Sequence, residues 1–472
     1  MRLDRLLGQV DVLETRGDPA RVDVRAIAFN AAEVVPGALY CCIPGNRFDG
    51  HDFAPDAVAA GASALLCERL LPLDVVQIRV GQGQARAAMA QVAAAYHGHP
   101  AESLRVVGVT GTNGKTTVTH LLSAIFEANG WPTAVMGTLD GGLTTPDAPS
   151  VQRSLASYRD SGHAAVAMEV SSHALIQRRV DAIRFVVSIF TNLSQDHLDY
   201  HRTMDAYFSA KSLLFTPART DTGVVNADDP WGRRLLESAP IELRSFSLDD
   251  AAGLELGPAR SSFRWEGSAV TLNLSGRFNV ANALAAAAAA RQLGIDPGVV
   301  GEGLSALRGV PGRFEMVEAG QSFRAVVDYA HTPSALEEVL TAARHAAEPD
   351  GRVVVVFGCG GDRDRLKRPE MGRIATNLAD LAVLTSDNPR SEDPMAIIGE
   401  VRSGVDRADR LAVESDRAAA IAIAVSSARP GDVVVVAGKG HETGQRIGGR
   451  TLDFDDRVVT RSAIEDRAGA RR

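Results

Sequence analysis

A β-branched run that empties into a glycine-rich turn and then at once into a helical pattern constrains this chain more than any other stretch. It reads Val106-Val107-Gly108-Val109-Thr110-Gly111-Thr112-Asn113-Gly114-Lys115-Thr116-Thr117. Strand, tight loop and helix in that order form a unit of a parallel α/β sheet, so the segment predicts the fold class together with its site. Glycines let backbone N–H groups approach an anion, and the helix start presents its positive dipole end. Lys115 reaches terminal phosphates, and the Thr116 hydroxyl suits Mg2+. The strict spacing G-x-x-x-x-G-K-[ST] is missed by one position: it asks for glycine where Val109 stands, and Gly108 lies one residue too early. This is a variant phosphate loop.

Length and charge bound the rest. With 472 residues, 45% hydrophobic and 23% charged, the chain buries ample core and divides into several domains. A net charge of -8 argues against nucleic acid or an anionic membrane as the main partner. The start, MRLDRLLGQVDVLE, mixes charges and lacks an apolar signal core, so a cytoplasmic location is expected. Cys41, Cys42, Cys67 and Cys359 show no metal-ligand spacing and read as small buried hydrophobes.

Three regions are predicted. Residues 1–98 alternate short apolar runs with glycine and proline turns and close on a helical pattern over 85–96. Residues 99–310 hold the phosphate loop and recurring strand-then-loop units, which predict a doubly wound parallel sheet, and a long alanine-rich helix over 281–293. Residues 311–472 carry three apolar strands, each ending in a polar loop: Gly358 to Asp364, Ser386 to Arg390 and Gly438 to Glu442. Ligands of open α/β sheets bind beyond the carboxyl ends of strands, so these loops point to one shared site.

In the central region Glu169 follows one strand and His197 the next. Hard Mg2+ prefers oxygen, so Glu169 beside a Thr116-bound metal makes chemical sense, with His197 as a softer ligand for a second metal. Lys211, taken alone, reads as a solvated helix lysine.

The motifs G-x-T-G-T-N-G-K-T, M-E-V-S-S-H-A-L, T-N-L-S-x-D-H-L-D-Y-H, A-K-x-L-L-F, G-x-F-N-V-x-N, D-Y-A-H-T-P, G-C-G-G-D-R-D, D-N-P-R and G-K-G-H-E occur in this order between Gly108 and Glu442. Together they closely resemble the Mur ligase family. The resemblance implies a three-domain α/β fold: an N-terminal UDP-binding domain, a central ATP-binding domain and a Rossmann-like C-terminal domain. It implies an amide ligase of cytoplasmic peptidoglycan precursor synthesis, driven by ATP through an acyl phosphate and acting as a single chain. Its substrates would be UDP-N-acetylmuramoyl-L-alanyl-D-glutamate and meso-diaminopimelate.

Residue by residue, the resemblance places Gly111, Thr112, Asn113, Gly114, Lys115, Thr116 and Thr117 on the nucleotide, with Asn279 and Asn282 flanking adenine and Asp328 and His331 facing the nucleotide. Thr116 and Glu169 would hold one Mg2+ and His197 a second. Lys211 would carry a CO2-derived carbamate whose oxygens approach a metal, which reverses the plain reading of that lysine. Lys115, Glu169, His197 and Lys211 are thereby the catalytic set. Asn46, Arg47, Phe48, Thr144, Thr145, Ser171, Gln177 and Arg179 would contact the muramoyl dipeptide. Arg363, Asp387, Asn388, Pro389, Arg390, Gly438 and Glu442 would form the amino-acid pocket, with Arg390 on a carboxylate and Glu442 on the ammonium group. Because diaminopimelate carries a carboxylate that lysine lacks, the arginine of D-N-P-R favours it. Since phosphate loop and acceptor pocket lie on different domains, closure of one on the other is expected.

The chain departs from the family pattern where D-S-R is usual: Asn30-Ala31-Ala32 stands there, Ala31 lacks the serine hydroxyl, and one lost hydrogen bond costs about 0.5 to 1.5 kcal/mol. Leu143 replaces a polar residue, and Gly444 stands where an aromatic is common. These changes touch the sugar-nucleotide end and leave the phosphoryl-transfer residues intact. The alternatives are a ligase of the same fold using lysine or a modified acceptor, and a non-catalytic scaffold. The second is disfavoured because Lys115, Glu169, His197 and Lys211 are all present.

Overall fold

The computed structural model describes residues 1–45 and 48–469. Among the described residues five sheets form, and the three largest, each mostly or wholly parallel, follow one another along the chain, with a small antiparallel sheet of Ala252–Leu256, Ser261–Trp265 and Ser268–Leu272 between the second and third. In the first, the order is Val12–Arg16, Val76–Val80, Ala64–Cys67, Ala38–Cys41, Ala26–Ala28. Val12–Arg16 runs antiparallel to its neighbour and the other pairings are parallel. The helix Ala85–Tyr96 buries Ala88, Met89 and Val92 in this unit's core.

The central sheet has six strands in the order Leu243–Phe246, Gly223–Asn226, Val187–Phe190, Arg105–Thr110, Ala165–Glu169, Thr133–Met136, all parallel. The phosphate-loop strand is therefore interior, and both its faces are covered. Val107 and Val109 face one core with the helices Lys115–Ala128 and Arg277–Gln292, while Val106 faces another with Phe185 and Phe215. Such burial on both faces is why the strands read as continuous apolar runs rather than alternating ones. The alanine-rich helix begins at Arg277, four residues before the start read from sequence, because Gly276 at φ 95° ends the extended chain there and brings Asn279 and Asn282 into the first turns.

The third sheet runs Glu315–Met316, Arg324–Asp328, Val433–Ala437, Val353–Phe357, Leu381–Leu384, Leu411–Val413, parallel except for its two-residue edge. The runs VVVVF and VVVVA are fully buried at its centre. A hairpin, Gly444–Ile447 with Arg450–Asp453, folds back from the last loop. Gly444 fits there without an aromatic side chain, since even a Cβ would meet Thr451 Cγ2 at 2.8 Å. All four cysteines are buried and free, and burial pushes the Cys67 thiol up to about 11. No helix among the described residues is long and apolar enough to cross a membrane.

Candidate active site

The spacing that failed the strict pattern has a geometric cause. Val109 is still a strand residue, paired with Glu169 and Ile189 and fully buried, so the turn is confined to Gly111–Gly114. Gly111 adopts φ 153°, and a Cβ there would lie 1.9 Å from Thr191 Oγ1. Gly114 adopts φ 87°, and its Cβ would lie 2.3 Å from Asn282 Oδ1. Neither position admits a side chain. The neighbouring strand's end clamps the loop: Asn113 N donates to Asn192 Oδ1 at 2.9 Å, and Thr191 Oγ1 donates to Asn113 O at 2.6 Å.

Lys115 Nζ folds back onto Gly111 O and Thr112 O at 3.0 and 2.9 Å, its charge disfavoured by burial. Thr116 Oγ1 donates to Glu169 Oε1 at 2.9 Å, and Glu169 also accepts from Thr138 N at 2.9 Å. A hydroxyl and a carboxylate this close are a hard-oxygen donor pair that fits Mg2+. Among the described residues, no group of three or more His, Cys, Asp or Glu side chains is arranged to hold a metal by itself.

His197 sits at φ 56°, its Nε2 3.4 Å from Asp196 Oδ2 and its ring 4.9 Å from that of His173. Burial outweighs the Asp196 attraction and pushes the imidazole down to about 3, which leaves a nitrogen lone pair free to ligate. Lys211 is not the solvated lysine its sequence suggests. Only 1% exposed, it donates to Gly111 O at 2.8 Å and lies 4.6 Å from the Tyr207 ring centre. Burial first, then Lys115, hold its amine well below the usual lysine range.

The C-terminal sheet closes over this floor. Arg313 Nη2 donates to Thr116 Oγ1 at 2.9 Å, its guanidinium stacked 4.3 Å from the Tyr329 ring centre, while its buried Nε has no partner among the described residues. Lys367 Nζ pairs with Asp196 Oδ1 at 3.5 Å, and Gln195 Nε2 donates to Asp364 Oδ2 at 3.4 Å. Arg313 and Lys367 are the functional candidates that motif reading passes over. Arg313 follows the glycine-proline turn before the edge strand, and Lys367 lies just past G-C-G-G-D-R-D, yet nothing in their neighbourhood reveals that they meet the central region.

The result is one cleft of about 750 Å3. Its walls include Thr112 to Thr117, Thr144, Thr145, Glu169, Ser171, Arg179 and His197 from the central part. From the C-terminal part they include Asp328, His331, Arg363, Asp387, Asn388, Arg390, Gly438 and Glu442. Thr145 Oγ1 donates to the Glu169 backbone carbonyl at 3.0 Å, and Arg179 reaches Thr145 O, so the dipeptide-side candidates are tied to the main chain of the residue that carries the metal-side carboxylate. Leu143, 56% exposed, also lines this cleft.

Five candidates stand back from the wall, the first being Lys211, enclosed against Gly111 O. Asn279 is buried behind Asn282 and bonds Ser275 O; Gln177 accepts from Arg179; Pro389 shapes the turn that carries Arg390 at φ 55°; and Gly111, the first residue of the loop, turns its carbonyl to Lys211. Phe48 is exposed and packs edge-on against Phe53, away from the cleft, and Asn46 and Arg47 lie outside the described residues. Ala31 sits in a short turn capped by Asn30, whose Oδ1 accepts from Ala32 N.

The two carboxylates of the acceptor loops differ in their partners. Glu442 is already neutralised, since its Oε2 accepts from Asn388 Nδ2 at 2.8 Å and from Lys439 Nζ at 3.0 Å. Among the described residues, the carboxylate oxygen left buried without a hydrogen-bond partner is Asp387 Oδ2, directly under Gly438. Glu442, expected from the resemblance to meet the ammonium group, and Asp387 both line the cleft, the first already paired with Lys439 and the second with an oxygen still unpaired among the described residues.

A phosphate loop, a threonine–carboxylate pair and a facing cluster of anion- and cation-binding side chains on a three-sheet α/β frame define an ATP-handling enzyme with a second substrate pocket. The comparisons give the family. Residues 23–105 match the Mur ligase family catalytic domain, 109–290 the Mur ligase middle domain, and 312–440 the Mur ligase glutamate ligase domain. The UDP-N-acetylmuramoyl-L-alanyl-D-glutamate--2,6-diaminopimelate ligase of Syntrophomonas wolfei is 44% identical, covering 97% of this chain and 98% of its own. The protein of the same name from Streptomyces avermitilis is 43% identical over 99% of this chain and 97% of its own. A solved structure of a ligase of that name superposes with a TM-score of 0.68 at 32% identity, covering 99% of both chains. The chain belongs to the Mur ligase family and is an ATP-dependent ligase.

Proposed function

We propose that this chain joins meso-diaminopimelate to the glutamate carboxylate of UDP-N-acetylmuramoyl-L-alanyl-D-glutamate. The observation that carries this reading is the single cleft in which the Thr116–Glu169 pair faces Asp387, Arg363 and Arg390. The dipeptide carboxylate attacks the terminal phosphoryl group of ATP and ADP leaves, and the neutral acceptor amine then opens the acyl phosphate, with phosphate and one amine proton released as the amide forms. Lys115 and Arg313 stabilise the charge that develops on the transferring group, the term that dominates phosphoryl transfer.

Mg2+ held by Thr116 and Glu169, and a second ion at His197 with the Lys211 carbamate, would neutralise phosphate oxygens when bound. Lys211 suits that modification, because only a neutral amine attacks CO2 and burial favours the neutral form. Arg390 binds the second carboxylate of diaminopimelate, and Asp387 takes an ammonium group. Residues 1–98 take the uridine diphosphate end, 99–310 the ATP and 311–472 the acceptor, in a cytoplasmic enzyme working as a single chain.

The test is phosphate release by the full chain with ATP and the UDP-muramoyl dipeptide, comparing diaminopimelate, lysine and no acceptor. Release that depends on diaminopimelate and is weak with lysine is expected. Equal rates with lysine would overturn the acceptor reading.

A further inference from the structure

Besides the main cleft, a second cavity of about 430 Å3 opens between the central and C-terminal parts, with Phe246, Leu248, Leu256 and Ala281 among its walls. Five residues line both spaces and so mark the passage between them: Asn113, Gly114, Phe278, Asn282 and Glu338. Four belong to the central part. Glu338, on the helix Pro333–Ala346, is the one contributed by the C-terminal part and the one with a formal charge. Its carboxylate has no hydrogen-bond or ion-pair partner among the described residues.

On the ATP reading above, the triphosphate lies along Gly111 to Thr117 in the larger space and the base fills the more apolar one. The sugar then occupies the passage. A free carboxylate is unsuited to phosphate, which it repels, and the cations Lys115 and Arg313 line the larger space only. Against a sugar it is well suited, since vicinal hydroxyls donate two hydrogen bonds to one carboxylate. Other α/β nucleotide sites place an acidic residue on the ribose in the same way. We propose that Glu338 accepts the ribose hydroxyls and makes the enzyme select ATP over 2′-deoxyATP; this rests on the ATP reading of the site.

The test measures phosphate release with ATP and with 2′-deoxyATP for the wild-type chain, Glu338→Gln and Glu338→Ala, together with binding of ADP and 2′-deoxyADP. The wild type should prefer ATP, and both variants should lose about ten- to hundredfold of that preference through weaker use of ATP, with 2′-deoxyATP little changed. Binding should show the same collapse of the ratio. An unchanged ratio in active variants would overturn the role of Glu338 and leave the ATP reading standing. A wild-type chain that uses neither nucleotide would overturn both.

Discussion

Asp387 separates a functional residue from a structural one by the sign of its effect on stability. Its side chain is 7% exposed, and Oδ2 is buried with no partner among the described residues. The nearby Arg417 commits its donors elsewhere, to Asp456 at 2.8 and 2.7 Å and to Ala437 O at 2.9 Å. Gly438, at φ 117°, leaves that oxygen open: a Cβ there would stand 2.5 Å from it. An unsatisfied buried polar atom costs about 1–3 kcal/mol, and more when charged, so the free protein carries this cost until a cation arrives. Asp387→Asn keeps the shape and removes the charge. The acceptor ammonium loses a charge-assisted hydrogen bond worth about 1.5–3 kcal/mol, which raises the acceptor KM about ten- to hundredfold while the ATP KM holds. The unfolding midpoint of the free protein stays level or rises, by about 2–4 °C per kcal/mol relieved. Steady-state phosphate release and a thermal melt of the same preparation check both halves. A lowered midpoint with an unchanged acceptor KM would refute the reasoning and make Asp387 part of the scaffold.

Other expectations concern groups on either side of the cleft. Lys211→Ala should abolish turnover, short-chain carboxylic acids should restore part of it, and carbon NMR of wild-type enzyme under labelled CO2 should show a carbamate; full activity of the unrescued variant would remove the modification from the mechanism. Arg313→Ala should lower kcat about hundred- to thousandfold with the fold intact by circular dichroism, as loss of one preorganised charge-stabilising donor does, and an unchanged kcat would leave its contact with Thr116 structural. In the C-terminal part, the fully buried Arg368 bonds Glu392 at 2.8 and 2.9 Å and holds its carboxyl at about 2, below the ordinary 4.5. A depressed acid contributes its stability above the unfolded value and loses it as the pH falls toward the folded one. Denaturant midpoints should therefore drop between about pH 4.5 and 2, and less steeply in Glu392→Gln; identical slopes would deny the pair that role.

What could be read from sequence alone follows from how far apart the partners lie. The phosphate loop was legible because its glycines, lysine and threonine are consecutive, and the strand before it forces their order. Glu169 and His197 were legible because one ends a strand of the same sheet and the other lies in the loop that follows the next strand. The contacts that close the site were not, since Arg313 meets Thr116 across 197 residues and Lys367 meets Asp196 across 171. No local pattern encodes such a meeting. Lys211 misled for a related reason. Its helix, Met204–Ser212, has polar residues on several sides, and only packing under Gly111 shows that this lysine points inward. Glu442 was identified as a site residue, but the buried Lys439 beside it, which neutralises it, gave no sign in sequence of being fully enclosed.

The central claim is that the cleft activates a carboxylate by transferring phosphate to it, and isotope transfer tests this most directly. UDP-muramoyl dipeptide carrying heavy oxygen in the glutamate carboxylate is incubated with ATP, diaminopimelate and the enzyme, and the released phosphate is analysed by mass spectrometry. An acyl phosphate requires one carboxylate oxygen to leave with the phosphate, so the label should appear there, one atom for each amide formed. Amide formation accompanied by unlabelled phosphate would contradict the account.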